Sequence, residues 1–169
     1  GRKGRAAVVA GTQQLPFLLT PSAEGTIEAK PLIENAPKDI GSAGECLVAD
    51  FDNDSFPDVL QTFQKASLFL KGSGSDAFAA PKRVDLPLDE AAARPALGDF
   101  DQDGRLDVLL ARRSFPAMYA NLEGPRFVPV YYETGEATYI AKPNTIDCDV
   151  GDINDDGRQD FLLLYDGQK

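Results

Sequence analysis

Three nine-residue segments concentrate carboxylates at a spacing that suits a metal ion: residues 50–58, 99–107 and 152–160, called here the first, second and third loops. With their flanking residues they read ADFDNDSFPDVLQ, GDFDQDGRLDVLL and GDINDDGRQDFLL. Side-chain oxygens therefore recur at loop positions 1, 3, 5 and 9. A tight turn with this spacing lets alternate side chains converge on one point, which suits a hard cation such as Ca²⁺ with about six to eight oxygen ligands.

The loops differ in how well they keep the remaining positions of the pattern. Position 6 is glycine in the second and third loops, where it allows the positive φ that bends the chain. The first loop has Ser55 there and Pro57 after it, and a left-handed serine costs about 1 kcal/mol, so weaker binding is expected. Up to three Ca²⁺ ions are predicted, with tighter binding at the second and third loops. The candidate side-chain ligands are Asp50, Asp52, Asp54, Asp58, Asp99, Asp101, Asp103, Asp107, Asp152, Asn154, Asp156 and Asp160, joined by the backbone carbonyls of Phe56, Arg105 and Arg158.

Position 12 separates these loops from two other acidic calcium loops. An EF-hand requires a bidentate glutamate at position 12 between two helices, and a dockerin-type loop also places an acid there before a helix. Position 12 is Gln61, Leu110 or Leu163 in this chain, inside an apolar run typical of a strand. The pattern therefore belongs to neither class.

Composition excludes several other kinds of chemistry. The 169 residues include no histidine, which excludes Ser-His-Asp and Cys-His catalysis and histidine-ligated zinc. The net charge of −10 disfavours nucleic acid and anionic membranes as partners, and no apolar run is long enough to insert into a bilayer. Twelve of the 27 acidic residues lie in the three loops, so this clustering itself favours bound cations.

The loops mark an internal repeat. Their first aspartates are 49 and 53 residues apart, and each period reads as four short apolar or alternating runs separated by turn signals. The second run follows the loop directly, as at 58–63 and 160–165, and the fourth run of the first full period is predicted at 78–84. Strand-only units at this period predict an all-β fold built from the four-stranded antiparallel blades of a β-propeller. A degenerate fourth loop copy lies at Gly1–Gly4, where Gly4 replaces the last aspartate.

The repeat also predicts the organisation of the chain. We expect a single propeller segment over 1–169, divided into a partial leading blade at 1–44, blades at 45–93 and 94–146, and the first two strands of a further blade at 147–169. About three blades fall short of the roughly four to eight of closed propellers. The segment is therefore expected to belong to a ring of about six to eight blades, completed by a longer chain or by self-association.

The loops and their flanking strands resemble FG-GAP/VCBS-type calcium-binding repeats, the blades of integrin-α-like propellers and of many bacterial surface and secreted proteins. The second loop, GDFDQDGRLDVLL, is close to the family consensus. The resemblance implies that each loop joins the two innermost strands of a blade and binds calcium structurally. It also implies a place outside the cytoplasm: extracellular, cell-surface or periplasmic.

Function is less constrained than fold. The first hypothesis is a non-catalytic binding or scaffold module for a protein or glycan ligand. One alternative is the propeller domain of a secreted polysaccharide-active lyase or hydrolase, although no pair of acids outside the loops stands out for catalysis. Another is a purely architectural segment of a large surface protein. A possible ligand patch, for which packing between blades is the simpler interpretation, comprises Arg112, Arg113, Phe115, Tyr119, Tyr131, Tyr132 and Tyr139.

The two cysteines occupy the same place in their repeats. Cys46 and Cys148 each lie four residues before the first aspartate of a loop. They are either joined by a disulfide in an oxidising compartment or are two buried free thiols on equivalent strands.

Overall fold

A computed structural model of the protein describes residues 8–10, 15–22, 24–74, 77–88, 94–112, 116–123, 126–130 and 145–167. These residues contain strands, turns and irregular segments but no helix, so none forms a helix able to cross a membrane. The strands are β1 Val8–Ala10, β2 Phe17–Pro21, β3 Ile27–Pro31, β4 Ala43–Ala49, β5 Asp58–Phe63, β6 Ser67–Leu70, β7 Lys82–Val84, β8 Arg94–Gly98, β9 Asp107–Ala111, β10 Ala117–Leu122, β11 Arg126–Val130, β12 Thr145–Gly151 and β13 Asp160–Tyr165.

Neighbouring strands in the chain pair with each other and form four antiparallel sheets. We call them the leading sheet (β1–β3), the first blade (β4–β7), the second blade (β8–β11) and the trailing sheet (β12–β13). This consecutive antiparallel pairing is the arrangement of propeller blades. The predicted all-β, blade-forming fold is confirmed.

Each aspartate loop joins the first two strands of its sheet. The register pairs Ala49 with Asp58 and Gly98 with Asp107, so the loop closes directly on the last residue pair of the two strands. Gly151 and Asp160 pair in the same way in the trailing sheet. The turn is therefore fixed at both ends by a ladder of backbone hydrogen bonds.

The second strand of each full blade is buried on both faces. Every residue of β5 and of β9 is buried. Successive side chains of a strand point to opposite faces, so Val59 packs in one apolar cluster with Ile40 whereas Leu60 packs in another with Val108 of the second blade. A strand held between two layers needs apolar residues on both sides, which explains the continuous run VLL at 108–110.

The trailing sheet is open on one face. Leu162 occupies the position of Leu60 and Leu109 in the loop alignment, but its exposed fraction is 61%, against 0% and 1% for those two residues. Leu164, two residues further on the same face, is 55% exposed. Within the described residues nothing covers this face as the second blade covers β5.

Candidate metal centre

The aspartate at position 1 folds each loop by accepting two hydrogen bonds from the loop backbone. In the second loop, Oδ1 of Asp99 accepts the N–H of Asp103 and Oδ2 accepts the N–H of Gly104, both at 3.0 Å. Asp50 and Asp152 accept the equivalent pairs at distances between 2.8 and 3.1 Å. An aspartate is needed because its short side chain reaches back to its own turn.

The aspartate at position 9 connects its loop to the rest of the blade. Asp107 accepts the N–H of Phe100 in the loop at 2.9 Å and the N–H of Asn121 in β10 at 2.8 Å. In the first blade, Asp58 accepts the equivalent N–H groups, that of Phe51 at 3.0 Å and that of Gly72 at 2.8 Å. Both carboxyls are buried, and burial raises the pKa of each above its ordinary value. The equivalent Asp160 accepts the N–H of Ile153 at 3.0 Å.

Two positions of each loop have a left-handed backbone. Position 6, for which the sequence predicted a positive φ, has φ of 84° at Gly104, 82° at Gly157 and 71° at Ser55. Position 4 also has φ near 60° in all three loops, and none of its residues is a glycine: Asn53, Gln102 and Asp155. The sequence analysis did not identify position 4, although asparagine and aspartate there fit the left-handed region better than most residues do.

The first and second loops each gather three carboxylates. One oxygen from each of Asp50, Asp52 and Asp58 lies within 4.8 Å of the other two, and another set with the same spacing comes from Asp99, Asp101 and Asp107. These are positions 1, 3 and 9 in both cases. Three carboxylates around one point form an oxygen-only set that suits a hard divalent cation better than a soft metal.

Position 5 lies outside these two sets. Oδ1 of Asp54 accepts the N–H of Phe56, and Oδ1 of Asp103 accepts the N–H of Arg105, each at 2.9 Å. Oδ2 of Asp103 pairs with the guanidinium of Arg105, and Oδ2 of Asp54 pairs with the ammonium of Lys71. The hydrogen bond from Lys71 lowers the pKa of Asp54.

The third loop keeps the turn but gathers no set of three carboxylates within the described residues. Position 3 is Asn154, whose Oδ1 accepts the N–H of Asp156 at 3.0 Å and whose Nδ2 donates to Oδ2 of Asp156 at 3.3 Å. The sequence ranked the second and third loops above the first as calcium sites, and that ranking stays a prediction. The amide oxygen of Asn154 can bind Ca²⁺ although it carries no charge, so the third loop stays a candidate site.

The donor sets fit a divalent cation. Asp52 is the position-3 ligand of the first loop, and its Oδ1 is buried without a hydrogen-bond partner. A buried carboxylate oxygen without a donor is costly, and a cation between Asp50, Asp52 and Asp58 would satisfy it. The carbonyl ligands of Phe56, Arg105 and Arg158 stay a prediction.

The sequence analysis missed three residues that shape the loops. Lys71 contacts both Asp52 and Asp54 from the end of β6. Asn121 is buried and donates through Nδ2 to the carbonyl of Phe51 in the neighbouring blade at 2.8 Å. Gln159 accepts the N–H of Asp99 at 2.6 Å through its Oε1. All three act across strands or sheets, so no local pattern indicates them.

The aromatic and basic patch is only partly described. Tyr119 is buried in the apolar cluster between the two full blades, which agrees with packing rather than ligand binding. Arg112 is the other described member. The remaining members lie outside the described residues: Arg113, Phe115, Tyr131, Tyr132 and Tyr139, as does the degenerate loop at Gly1–Gly4.

Both cysteines are free thiols, and they lie in different sheets. Cys46 packs against the apolar cluster around Ile40, and the thiol of Cys148 donates to the carbonyl of Arg94 at 3.2 Å. Burial raises the pKa of each thiol to about 11. Both thiols are therefore protonated at neutral pH, and a protonated thiol is a poor nucleophile.

Comparison with known proteins agrees with the loop geometry. A family model described as FG-GAP-like repeat matches residues 50–110 and 99–163, so each match runs from one aspartate loop into the next. No curated protein and no solved structure matches the chain. The two matches together span more than half of the 169 residues. The chain therefore belongs to the FG-GAP-like repeat family, whose repeats form β-propellers.

Proposed function

We propose that the aspartate loops bind Ca²⁺ and that the bound ions stabilise a β-propeller serving as a binding or scaffold module. The observation that carries the proposal is the convergence of Asp99, Asp101 and Asp107, whose ligand oxygens lie within 4.8 Å of one another. Three carboxylates at this spacing repel one another in the absence of a cation. A divalent ion relieves that repulsion at the three converging carboxylates, none of which pairs with Arg105, the basic residue of this loop.

The role of such an ion is structural. Asp107 begins β9 and accepts the N–H of Asn121 in β10, whereas Asp99 follows β8. A cation held by Asp99, Asp101 and Asp107 would therefore fasten the turn to three strands of the second blade. It would add stability to the native state in proportion to RT ln(1 + [Ca²⁺]/Kd).

Thermal unfolding with and without a chelator tests the proposal. At a calcium concentration of about 100 times Kd the native state gains about 2.7 kcal/mol. For a chain of this size the midpoint is expected to rise by about 5–10 °C relative to EGTA, as measured by differential scanning calorimetry.

A matched variant identifies the loop responsible for that rise. Asp101→Asn keeps the shape of the side chain but removes one ligand charge, so most of the contribution of the second loop should disappear. Magnesium at the same concentration is the ion control, because Mg²⁺ dehydrates reluctantly and prefers smaller octahedral sites. Equal midpoints in calcium and EGTA would refute calcium binding.

The cellular location and the class of ligand are part of the same proposal. FG-GAP-like repeats are typically non-catalytic binding or scaffold modules. Loops of this kind in extracellular modules often have Kd values of about 10⁻⁴–10⁻³ M, which suits the calcium concentration outside the cytoplasm. We therefore place the protein at the cell surface, in the periplasm or outside the cell, with a protein or glycan as its ligand.

Catalysis has less support. The chain has no histidine, and the described carboxyls with raised pKa, Asp58 and Asp107, each accept one backbone N–H from their own loop and one from outside it. A glycan-array screen beside a turnover assay on polysaccharides separates a binding module from an enzyme domain. Binding without turnover supports a binding module, and turnover supports a lyase or hydrolase. The absence of both binding and turnover supports a purely architectural segment.

A further inference from the structure

A lysine ammonium lies at the carboxylates of the first loop. Lys71 directly follows β6, and its Nζ contacts Oδ2 of Asp52 and lies 2.8 Å from Oδ2 of Asp54. The side chains of Asp52 and Asp54 are only 14% and 28% exposed, so water screens these contacts incompletely. The ammonium therefore offsets one of the two negative charges at positions 3 and 5, two of the positions assigned to the metal.

The second blade has no such lysine. The equivalent residue can be identified from the position-9 aspartates, because Gly72 donates its N–H to Asp58 and Asn121 donates its N–H to Asp107, each at 2.8 Å. The residue before Gly72 is Lys71, and the residue before Asn121 is Ala120. At this structural position a cationic side chain reaches position 3 in the first loop only, whereas the cation of the second loop, Arg105, pairs with Asp103 at position 5.

The space used by the lysine in the first blade is open in the second. A cavity of about 280 Å³ is lined by residues that include Asp101, Asp107 and Ala120. The methyl group of Ala120 faces this space and leaves room for a longer side chain. Asp101 has no ion pair within the described residues, whereas Asp52 is paired with Lys71.

We propose that Lys71 is a built-in counter-cation of the first loop, which holds the loop together without a metal and weakens its binding of Ca²⁺. A divalent ion at Asp50, Asp52 and Asp58 must displace the ammonium or tolerate a like charge beside it. In the second loop the Arg105 guanidinium pairs with Asp103, which lies outside the converging set of Asp99, Asp101 and Asp107, so an ion there displaces no ammonium from position 3. The inference rests on the proposed calcium binding and gives a cause besides Ser55 for weaker binding at the first loop, which we expect to bind at least tenfold more weakly than the second.

Removing the ammonium tests the proposal directly. A background of Asp101→Asn, Asp103→Asn and Asp156→Asn disables the second and third loops and leaves the first intact. In that background Lys71→Met keeps a long linear side chain without charge, and Lys65→Met alters an exposed lysine elsewhere. Isothermal titration with CaCl₂ should give at least tenfold tighter binding for Lys71→Met and no change for Lys65→Met.

Introducing a lysine at the equivalent position of the second blade provides the reciprocal test. A background of Asp52→Asn, Asp54→Asn and Asp156→Asn leaves only the second loop able to bind calcium. In that background Ala120→Lys should lower the calcium affinity at least tenfold. Ala120→Met has a similar length without the charge and controls for steric disturbance at this buried position. If both substitutions weaken binding equally, the charge has no role and the proposal is overturned.

Melting in EGTA separates this inference from the calcium proposal. Lys71→Met should lower the midpoint in EGTA, because Asp52 and Asp54 lose their counter-ion, and calcium should restore it. If the wild-type second loop binds calcium but Lys71→Met matches Lys65→Met in both affinity and melting, only the role of Lys71 is overturned. If neither loop of any variant binds calcium, the proposed function falls and the ranking falls with it.

Discussion

Aspartates that look alike in the sequence have different roles in the loops. Asp99 and Asp107 each use both carboxylate oxygens to accept backbone N–H groups, whereas Asp101 gives one oxygen to the N–H of Asp103 and takes no part in holding the strands. Positions 1 and 9 are thus needed to fold the turn even without a metal. The carboxylate at position 3 is the one whose role depends most on a bound ion.

This division predicts that two substitutions in one loop respond differently to calcium. Asp107→Ala leaves the N–H groups of Phe100 and Asn121 without their acceptor, at a cost of about 2–4 kcal/mol for one half-buried and one buried donor. The loss should appear in EGTA as well as in calcium. Asp101→Ala should cost less than about 1 kcal/mol in EGTA and remove the calcium-dependent gain.

Urea unfolding of both variants in EGTA and in calcium measures the four free energies of unfolding. An Asp107→Ala variant that matched the wild type in EGTA would show that the position-9 carboxylate acts only as a metal ligand. An Asp101→Ala variant that kept the full calcium gain would show that position 3 does not bind the ion.

Local patterns in the sequence predicted the loop residues but not the residues around them. Spacing identified the aspartates, and the glycine preference at Gly104 and Gly157 indicated the left-handed position, which the structure has. Lys71 and Asn121 come from the end of the third strand, thirteen and fourteen residues after the position-9 aspartate of their blades. Their role depends on the register of β6 and β10 against the loop, which composition and spacing do not encode.

At the scale of the elements, side-chain amides connect the loop regions of neighbouring blades. Asn121 in β10 donates to the carbonyl of Phe51 in the first loop at 2.8 Å, and Asn53 in the first loop donates to the carbonyl of Gly104 at 2.9 Å. The first contact is buried, and the second is exposed. Both connect the first and second blades beyond the apolar cluster that the two blades share.

The difference in burial predicts a difference in energy. Asn121→Ala leaves the carbonyl of Phe51 buried without a donor and should destabilise the native state by about 1–3 kcal/mol. Asn53→Ala exposes the carbonyl of Gly104 to water, which replaces the lost donor, so a cost below about 0.5–1 kcal/mol is expected. Urea unfolding of both variants in EGTA provides the comparison, and equal losses would contradict the assigned roles.

The strands were predicted more accurately near the loops than at the outer edges. The sequence indicated runs at 58–63 and 160–165, which match β5 and β13. The fourth run of the first blade was predicted over 78–84, but the strand is only Lys82–Val84, after Pro81. Pro81 has no N–H for a ladder bond and directly precedes β7, so apolar content alone overestimated the length of this strand.

At the scale of the whole molecule, the sheets are layered so that each second strand requires a neighbour on both sides. The second strand of the first blade, β5, has a packing neighbour on each face, since Val59 lies in one apolar cluster and Leu60 in the other. The second strand of the trailing sheet has a neighbour on one side only: Phe161 stacks edge-on against Phe100 of the second blade with ring centroids 6.2 Å apart. Leu162 and Leu164 point away from that contact and are exposed. We propose that a further blade, supplied by a longer chain or by another copy, covers this face.

The open face predicts that the 169-residue chain self-associates when no further blade is supplied. Burying Leu162 and Leu164 would stabilise a dimer by about 1.5–3 kcal/mol per side chain, because each moves from water into an apolar contact. Sedimentation velocity over about 1–100 µM should show mass increasing with concentration. Leu162→Glu combined with Leu164→Glu should abolish the increase, whereas Ile27→Glu, at a residue 71% exposed on β3, should leave it unchanged. A wild-type chain that stays monomeric throughout would show that this face needs no partner, and equal effects of the two changes would place the contact elsewhere.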